Sequence, residues 1–339
     1  MNNRKKKTFI IAEVGNLHDG SLDLAKEFIA QAASCGADAV KFQVHIFDAE
    51  SLPEAPNPPY FKSESRKQYF ERTSFDVEQW QILKNYAEKE CKIEFMASVF
   101  SNEAVDLLEN IAIKKHKIPS GEVTNLSLLE KVSSLGKPVL LSSGMSSWKE
   151  LENAVQTLRA GGCRDIAILQ CSSVYPCPMQ EVGLNVLSEM KKRFGLAVGF
   201  SDHTLDNTAS IAAVVLGAEV IERHFTLEKD IAGSDSEHSL VPSRLADFIK
   251  EIRSLELALA NDVDKDMLAK KLQSMKVIFE KSIVSNQQIK SGSVLSANML
   301  AFKKPGDGIR ADKYKDLLSR KVKMDIDVNI KIQEEMLEE

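Results

Sequence analysis

Two short motifs hold most of the chemistry legible in this chain. They are Gly199-Phe200-Ser201-Asp202-His203-Thr204 and Glu222-Arg223-His224-Phe225-Thr226. Each sets a histidine just past a short strand-like run, Leu196–Phe200 in one case and Val220–Ile221 in the other. The Ala-rich segment Leu205–Leu216 between them reads as a helix, so His203 and His224 are spaced by about one α/β repeat. Imidazoles at the ends of neighbouring parallel strands converge on one point. That arrangement suits a divalent metal held by neutral histidines, with positions left open for a substrate. Spacing by itself also allows two unrelated histidines, one in a core and one on a surface.

The elements that must position these groups repeat one pattern from residue 8 to about 260. Apolar or β-branched runs occur at Thr8–Val14, Ala37–Gln43, Ile93–Ala97, His116–Ile118, Pro138–Leu141, Ile166–Gln170, Leu196–Phe200 and Glu219–Glu222. Amphipathic stretches follow them at Leu22–Ser34, Asp76–Glu90, Asn102–Asn110, Leu126–Ser134, Trp148–Arg159, Gly183–Arg193, Leu205–Leu216 and Pro242–Leu259. Strands alternating with helices predict parallel βαβ units, and eight of them predict a (β/α)8 TIM barrel rather than a doubly wound open sheet. One connection is long. Pro53-Glu54-Ala55-Pro56-Asn57-Pro58-Pro59-Tyr60 and the polar stretch after it, before Asp76, read as an irregular lid or rim at the end of the second strand. After the charged break Asn261–Asp266 comes a helical stretch, Met267–Met275, and then shorter turn-punctuated elements. The expected division is a catalytic barrel over 1–262, a linker over 263–280 and a small second domain over 281–339.

Bulk properties exclude several classes. The chain has 339 residues, 43% hydrophobic and 27% charged, as in ordinary globular proteins. A net charge of −5 provides no footprint for nucleic acid. Arg4-Lys5-Lys6-Lys7 reads as a solvated tail, and Phe9-Ile10-Ile11 after it is too short for a signal-peptide core. The longest apolar stretch, Ile211–Ala218, is far too short to span a membrane. Five cysteines without CxxC spacing point to a reduced, cytoplasmic protein.

Barrel enzymes take their catalytic groups from the C-terminal ends of the strands. In chain order those ends carry Glu13 with Asn16 and His18; Lys41 and Gln43; Ser98; Lys117, Ser120 and Glu122; Ser142; Ser172, Ser173 and Tyr175; Ser201 and His203; and His224. Lysines and serines from separate strands suit a small, highly charged phosphate or carboxylate. Glu13 and Glu122 are acid/base or supporting candidates, although Glu122 is also placed as a helix N-terminal carboxylate would be.

Several stretches together resemble the sialic acid synthase family. They are Ala12-Glu13-Val14-Gly15-Asn16-Leu17-His18-Asp19-Gly20, Val40-Lys41-Phe42-Gln43, Lys117-Ile118-Pro119-Ser120-Gly121-Glu122, Leu141-Ser142-Ser143-Gly144-Met145, the two histidine motifs and Ser234-Asp235. The tail resembles the antifreeze-like (SAF) domain of those enzymes. The resemblance implies condensation of phosphoenolpyruvate with an open-chain N-acetylated amino-sugar such as N-acetylmannosamine, giving a nine-carbon sialic-type acid and phosphate. It implies His203 and His224 as ligands of Mn²⁺, Mg²⁺ or another divalent cation, which would bind the aldehyde oxygen. It implies Lys41, Ser98, Lys117, Ser120, Ser142 and Ser201 for phosphoenolpyruvate. Gln43, Tyr175, Asp235 and Lys304 would serve the sugar, and Glu13 and Glu122 would be the acid/base groups. Enolpyruvate C3 would attack the aldehyde carbon, water would add at C2, and phosphate would leave by C–O cleavage. The resemblance also implies a domain-swapped homodimer with no nucleic-acid or membrane partner.

The chain departs from the family pattern in three places. Ser173 stands where asparagine is usual, Lys304 where the tail usually has arginine, and strand one continues Asn16-Leu17-His18 rather than Ile-Asn-His. The first two bear on the sugar, so a legionaminic or pseudaminic acid synthase acting on a diacetamido sugar is the alternative. A metal-dependent hydrolase on the same barrel would want more ligands, and a non-catalytic sugar-binding protein would not need both lysines and a metal pair.

Overall fold

The computed structural model describes residues 7–57, 64–229, 236 and 238–338. Eight strands, β1 (Phe9–Gly15), β2 (Ala39–Val44), β3 (Glu94–Val99), β4 (His116–Ile118), β5 (Val139–Ser142), β6 (Ile166–Cys171), β7 (Ala197–Asp202) and β8 (Val220–His224), form a closed barrel in sequence order. Every neighbouring pair is parallel, and β1 closes the ring against β8. The fold is therefore the (β/α)8 TIM barrel.

Side chains alternate across each strand, and the two faces differ in chemistry. Outward positions such as Ile10, Ala12, Val40, Phe42, Phe95 and Ile221 are fully buried against the surrounding helices. Inward positions split by height. The lower interior is apolar, with Ile11, Ala39, Met96, Leu140, Ala167, Leu169 and Val220 in one cluster. One step toward the C-terminal ends the inward positions become Glu13, Lys41, Ser98, Lys117, Ser142, Ser201 and Glu222, all buried. The pairing places these at one level: Glu13 is beside Lys41 and His224, Ser98 beside Lys117, and Ser201 beside Glu222.

The helices begin where side chains can take up free backbone N–H groups. Ser21, Ser101, Asn125 and Ser147 each accept from the first turn of the helix that follows, and Ser147 completes a capping box with Glu150. Among its described residues the connection after β2 is more regular than its prolines suggest, and Pro58, Pro59 and Tyr60 lie outside them. Residues 51–57 are irregular, but a short helix covers Phe47–Glu50 and a second covers Arg66–Thr73. A capping box between Ser65 and Gln68 starts the second helix, a local signal that outweighs the polar composition.

The chain divides into two compact units, Met1–Ala260 and Asn261–Glu339. The second has its own core of Ile283, Ile289, Leu295, Leu300, Leu317, Val322, Ile326, Ile332 and Leu337, with β9 (Ser282–Ser285) antiparallel to β10 (Leu300–Lys303). It opens on two short helices, Lys265–Lys271 and Gln273–Phe279, where periodicity predicts one. Asp264, in the charged break, caps the first by accepting from the Asp266 and Met267 N–H groups.

Gly199 is the tightest inward position in β7. A Cβ there would lie 2.8 Å from the Val220 carbonyl oxygen and 2.9 Å from Leu169 Cγ. Backbone cannot give way as a side-chain end can, so Gly199→Ala is expected to destabilise by about 1–3 kcal/mol. A thermal melt matching that of the wild type would show that β7 and β8 separate at no cost.

Candidate active site

The inward polar layer is one connected network. Lys41 Nζ lies 2.7 Å from Glu13 Oε2 and 3.7 Å from Glu222 Oε2, and donates to Ser98 Oγ at 2.9 Å. Lys117 Nζ donates to both Glu222 oxygens, at 2.8 and 2.7 Å. Ser201 Oγ donates to Glu222 Oε1 at 3.0 Å, and Gln43 Nε2 to Glu13 Oε1 at 2.8 Å. Six strands thus meet through two lysines and two carboxyl groups. Glu222 has no role in the sequence reading, although it opens a motif singled out there. Alternation was the available signal, because Glu222 lies two residues before His224 and so shares its inward face.

The two carboxyl groups are shifted in opposite directions. Burial pushes the Glu222 carboxyl up, but Lys117 and Lys41 outweigh it and hold it at about 2. Burial pushes Glu13 above the ordinary carboxylate value, with Lys41 opposing the rise and Glu222 adding to it. Glu222 therefore stays ionised, while the surroundings of Glu13 work against its charged form. Burial also lowers the Lys117 amine, against the pull of Glu222.

The imidazoles gather beside this network. The His203 and His224 ring centroids are 5.3 Å apart, and His238 lies 4.8 Å from His224 and 6.4 Å from His203. Tyr175 packs over His203 at 4.1 Å and near His238 at 5.2 Å. His238 escaped the sequence reading because it sits well beyond β8. The Leu240 N–H donates to the His224 carbonyl, folding the chain back and bringing His238 to its partners. Burial holds His203 and His238 at about 4, and drives His224 well below the ordinary value, with the neighbouring imidazoles adding to that fall. The rings are therefore neutral at pH 7. His203 Nδ1 donates to the Ser172 carbonyl at 2.7 Å, which leaves Nε2 with its lone pair. Neutral nitrogens with the second nitrogen fixed by a carbonyl are the donor chemistry of a divalent metal site, so His203 and His224 fit one.

The outward face of the same strands holds His203 in place. Arg223 is buried and donates to Asp202 Oδ2 at 2.6 Å, to the Asp206 carbonyl at 2.7 Å and to the Thr204 carbonyl at 3.0 Å. Asp202 in turn accepts from the Thr204 N–H at 2.8 Å. The Cys177 N–H donates to the His203 carbonyl at 2.9 Å, tying the loop after β6 to the loop after β7.

The other sequence candidates scatter more widely. Ser142 is buried on the inward face of β5. Ser120 opens a short 3-10 turn after β4, and a Cβ on Gly144 would overlap both its hydroxyl and that of Ser173, so three loops converge there. Glu122 lies on the same turn and accepts from Asn125 Nδ2 at 2.8 Å. Burial raises its carboxyl, with Asn125 opposing and Glu50 adding to the rise. No hydrogen bond among the described residues joins Glu122 to the lysine network. Lys304 lies in the second unit, its Nζ 5.0 Å from the centre of the Phe279 ring. Ser234 and Asp235 lie outside the described residues.

The neutral histidines set a pH dependence. Between about pH 6.5 and 4 an unfolded chain takes up protons at His203 and His238 that the folded chain refuses. Their contribution is complete above that window, and stability falls as pH drops through it. Glu13, with its raised carboxyl, works in the opposite sense. The urea midpoint is expected to be lower at pH 5 than at pH 7, and an unchanged midpoint would mean that these rings are already protonated or solvated.

The chain has relatives of known family and fold. The NeuB family profile matches residues 28–264. The N,N'-diacetyllegionaminic acid synthase of Campylobacter jejuni is 40% identical, over 93% of this chain and 96% of that protein. The human N-acetylneuraminate-9-phosphate synthase is 36% identical, over 97% of this chain and 92% of its own. The crystal structure of the N-acetylneuraminic acid synthetase of Leptospira borgpetersenii superposes with a TM-score of 0.70 at 28% identity, covering 80% of this chain and 92% of that one. With an eight-stranded barrel whose mouth joins a lysine–carboxylate network to clustered neutral imidazoles, the chain belongs to the NeuB family and is an enzyme of the N-acetylneuraminate synthase type.

Proposed function

We propose that the protein condenses phosphoenolpyruvate with an open-chain N-acetylated amino-sugar, N-acetylmannosamine first among them, to give a nine-carbon acid and phosphate. The observation that carries this reading is the placement of two buried lysines, from β2 and β4, at the same barrel mouth as His203 and His224. Lys41 and Lys117, with Ser98, Ser120, Ser142 and Ser201, would bind the carboxylate and phosphate through charge-assisted hydrogen bonds. Gln43, Tyr175 and Asp235 would bind the sugar. A divalent cation such as Mn²⁺ or Mg²⁺, held by His203 and His224, would supply Lewis-acid polarisation of the sugar aldehyde. Glu13 and Glu122 would be the acid/base groups, and Glu222 would stay ionised to balance the lysines. Attack of enolpyruvate C3 on the aldehyde carbon, addition of water at C2 and C–O cleavage then release phosphate.

A second reading keeps the reaction and changes the sugar. The 40% identity to a diacetyllegionaminic acid synthase favours a diacetamido sugar, and Ser173 and Lys304 depart from the sialic pattern at positions that bear on sugar choice. Phosphate release measured across a panel of acetamido and diacetamido sugars separates the two. Release is expected only with phosphoenolpyruvate and a sugar together, lost with chelator and restored by Mn²⁺. His203→Ala and His224→Ala are expected to bind less metal by direct elemental analysis. Release without sugar, or with no sugar of the panel, would overturn the reaction.

We further propose that the second unit is an antifreeze-like (SAF) domain, and that two copies exchange it so that Lys304 of one serves the sugar of the other. Among the described residues no helix is long and apolar enough to cross a membrane. All five cysteines are free thiols, which supports a cytoplasmic setting. Mixing a Lys304→Ala chain with a His203→Ala chain is expected to restore activity, because one site of the mixed dimer is intact. Absence of rescue, or an active monomer in sedimentation, would overturn the exchange.

A further inference from the structure

Behind Gln43 lies a pair of buried groups that the reaction does not use. His45, just past the end of β2, stacks between Phe70 and Phe100, with both ring centroids 3.9 Å away and interplanar angles of 5° and 24°. Its Nδ1 lies 2.7 Å from Glu50 Oε1, on the short helix Phe47–Glu50, and its Nε2 lies 3.1 Å from Gln43 Oε1. The His45 and Glu50 side chains are only 9% and 7% exposed. A half-sandwiched ring would suffice for packing. Here both nitrogens also have partners, and the chain of contacts runs on through Gln43 Nε2 to Glu13 Oε1.

The partners fix which way the Gln43 carboxamide points. Glu13 is bonded to Lys41 through its other oxygen and takes the Gln43 contact as an acceptor, so the NH2 end of the amide faces it. The carbonyl end then faces His45, whose Nε2–H donates to it. A flipped amide would set a carbonyl against a carboxyl oxygen and an NH2 against an N–H, losing both bonds. With its carbonyl committed to His45 and one N–H to Glu13, Gln43 keeps one N–H that no hydrogen bond among the described residues uses.

We propose that His45 and Glu50 are positioning residues that lock the Gln43 carboxamide, so that Gln43 presents a fixed N–H to substrate and selects a sugar with an acceptor oxygen at that place. The acetamido carbonyl is a sugar group of that chemistry, and unlike a hydroxyl it only accepts. This assignment of the ligand rests on the reading that Gln43 meets the sugar; the lock itself rests on the hydrogen bonds alone. A site built around a fixed donor discriminates strongly, because a substrate without the acceptor leaves a buried N–H unpaired.

The test uses His45→Phe, which keeps a ring between Phe70 and Phe100 and removes both hydrogen bonds. Sugar KM is expected to rise about tenfold, the worth of one such bond, while phosphoenolpyruvate KM stays within about twofold and the protein stays folded, with a melting temperature lowered by the loss of Glu50's partner. Glu50→Gln retains a hydrogen-bond partner for Nδ1 and is expected to restore most of the sugar affinity, whereas Glu50→Leu should match His45→Phe. A second readout is independent of turnover. In the full-length protein labelled with ¹⁵N-glutamine, the Gln43 amide should give a rigid NH2 pair by nuclear magnetic resonance, which His45→Phe broadens or averages. A rigid pair in a protein that turns over no sugar would uphold the lock and overturn the reaction reading. Turnover with a sugar KM and amide signal unmoved by His45→Phe would overturn the lock. Equal loss of both substrates would make His45 a packing residue and overturn the proposal as well.

Discussion

Four ionisable groups sit buried at the mouth of the barrel, and almost everything else in the structure answers to the need to keep them there. Lys41, Lys117, Glu13 and Glu222 are each nearly inaccessible to solvent. A lone buried ion would lose several kcal/mol of hydration, and removing one member of a buried pair leaves the other uncompensated at a cost of about 3–5 kcal/mol. The barrel meets this by drawing the groups from different strands at one level, so that each lysine finds a carboxyl within hydrogen-bond reach. Glu222 is the pivot, since it meets both lysines and accepts from Ser201.

On the proposed function the same mouth would receive an anion. Glu222 is firmly ionised, while burial and the neighbouring Glu222 charge work against the charge of Glu13 and Lys41 opposes them. In the proposed reaction a phosphate or carboxylate would meet amines already held in place and desolvated, with serine hydroxyls beside them. Orientation is thus settled before the ligand arrives, which is where preorganised electrostatic sites gain over water.

The neutral imidazoles are positioned by the opposite faces of the same strands. On β8 the inward residues are Val220, Glu222 and His224, and the outward Arg223 reaches sideways to Asp202 at the end of β7. One strand therefore contributes to the apolar interior, the charge network, the imidazole cluster and the clamp on the neighbouring loop. A register slip of one residue would exchange Glu222 and His224 for Arg223 and would ruin all of these together. The pair His45 and Glu50 plays a comparable part at β2, where it governs the direction of one amide.

Period and composition determined the architecture and its polar rim. Apolar runs alternating with amphipathic stretches specify eight strands and their helices, because each run can bury its outward face only against the helix that follows it. Even His116–Ile118, with a lysine and a histidine in three residues, forms β4, since Lys117 points inward to Glu222. The residues at the strand ends were legible for the same reason: strand direction puts them on one rim. What sequence could not decide is which of them touch. Glu222 reads as part of a motif but is a partner of two lysines, contributed by β2 and β4, far away along the chain. His238 reads as a loop residue but joins the imidazoles because the chain turns back at Leu240. Glu122 reads like Glu13, yet the turn after β4 gives it Asn125 rather than the lysines. Pairing across a closed barrel depends on distance in space, and a local pattern contains no record of that distance until the ring closes.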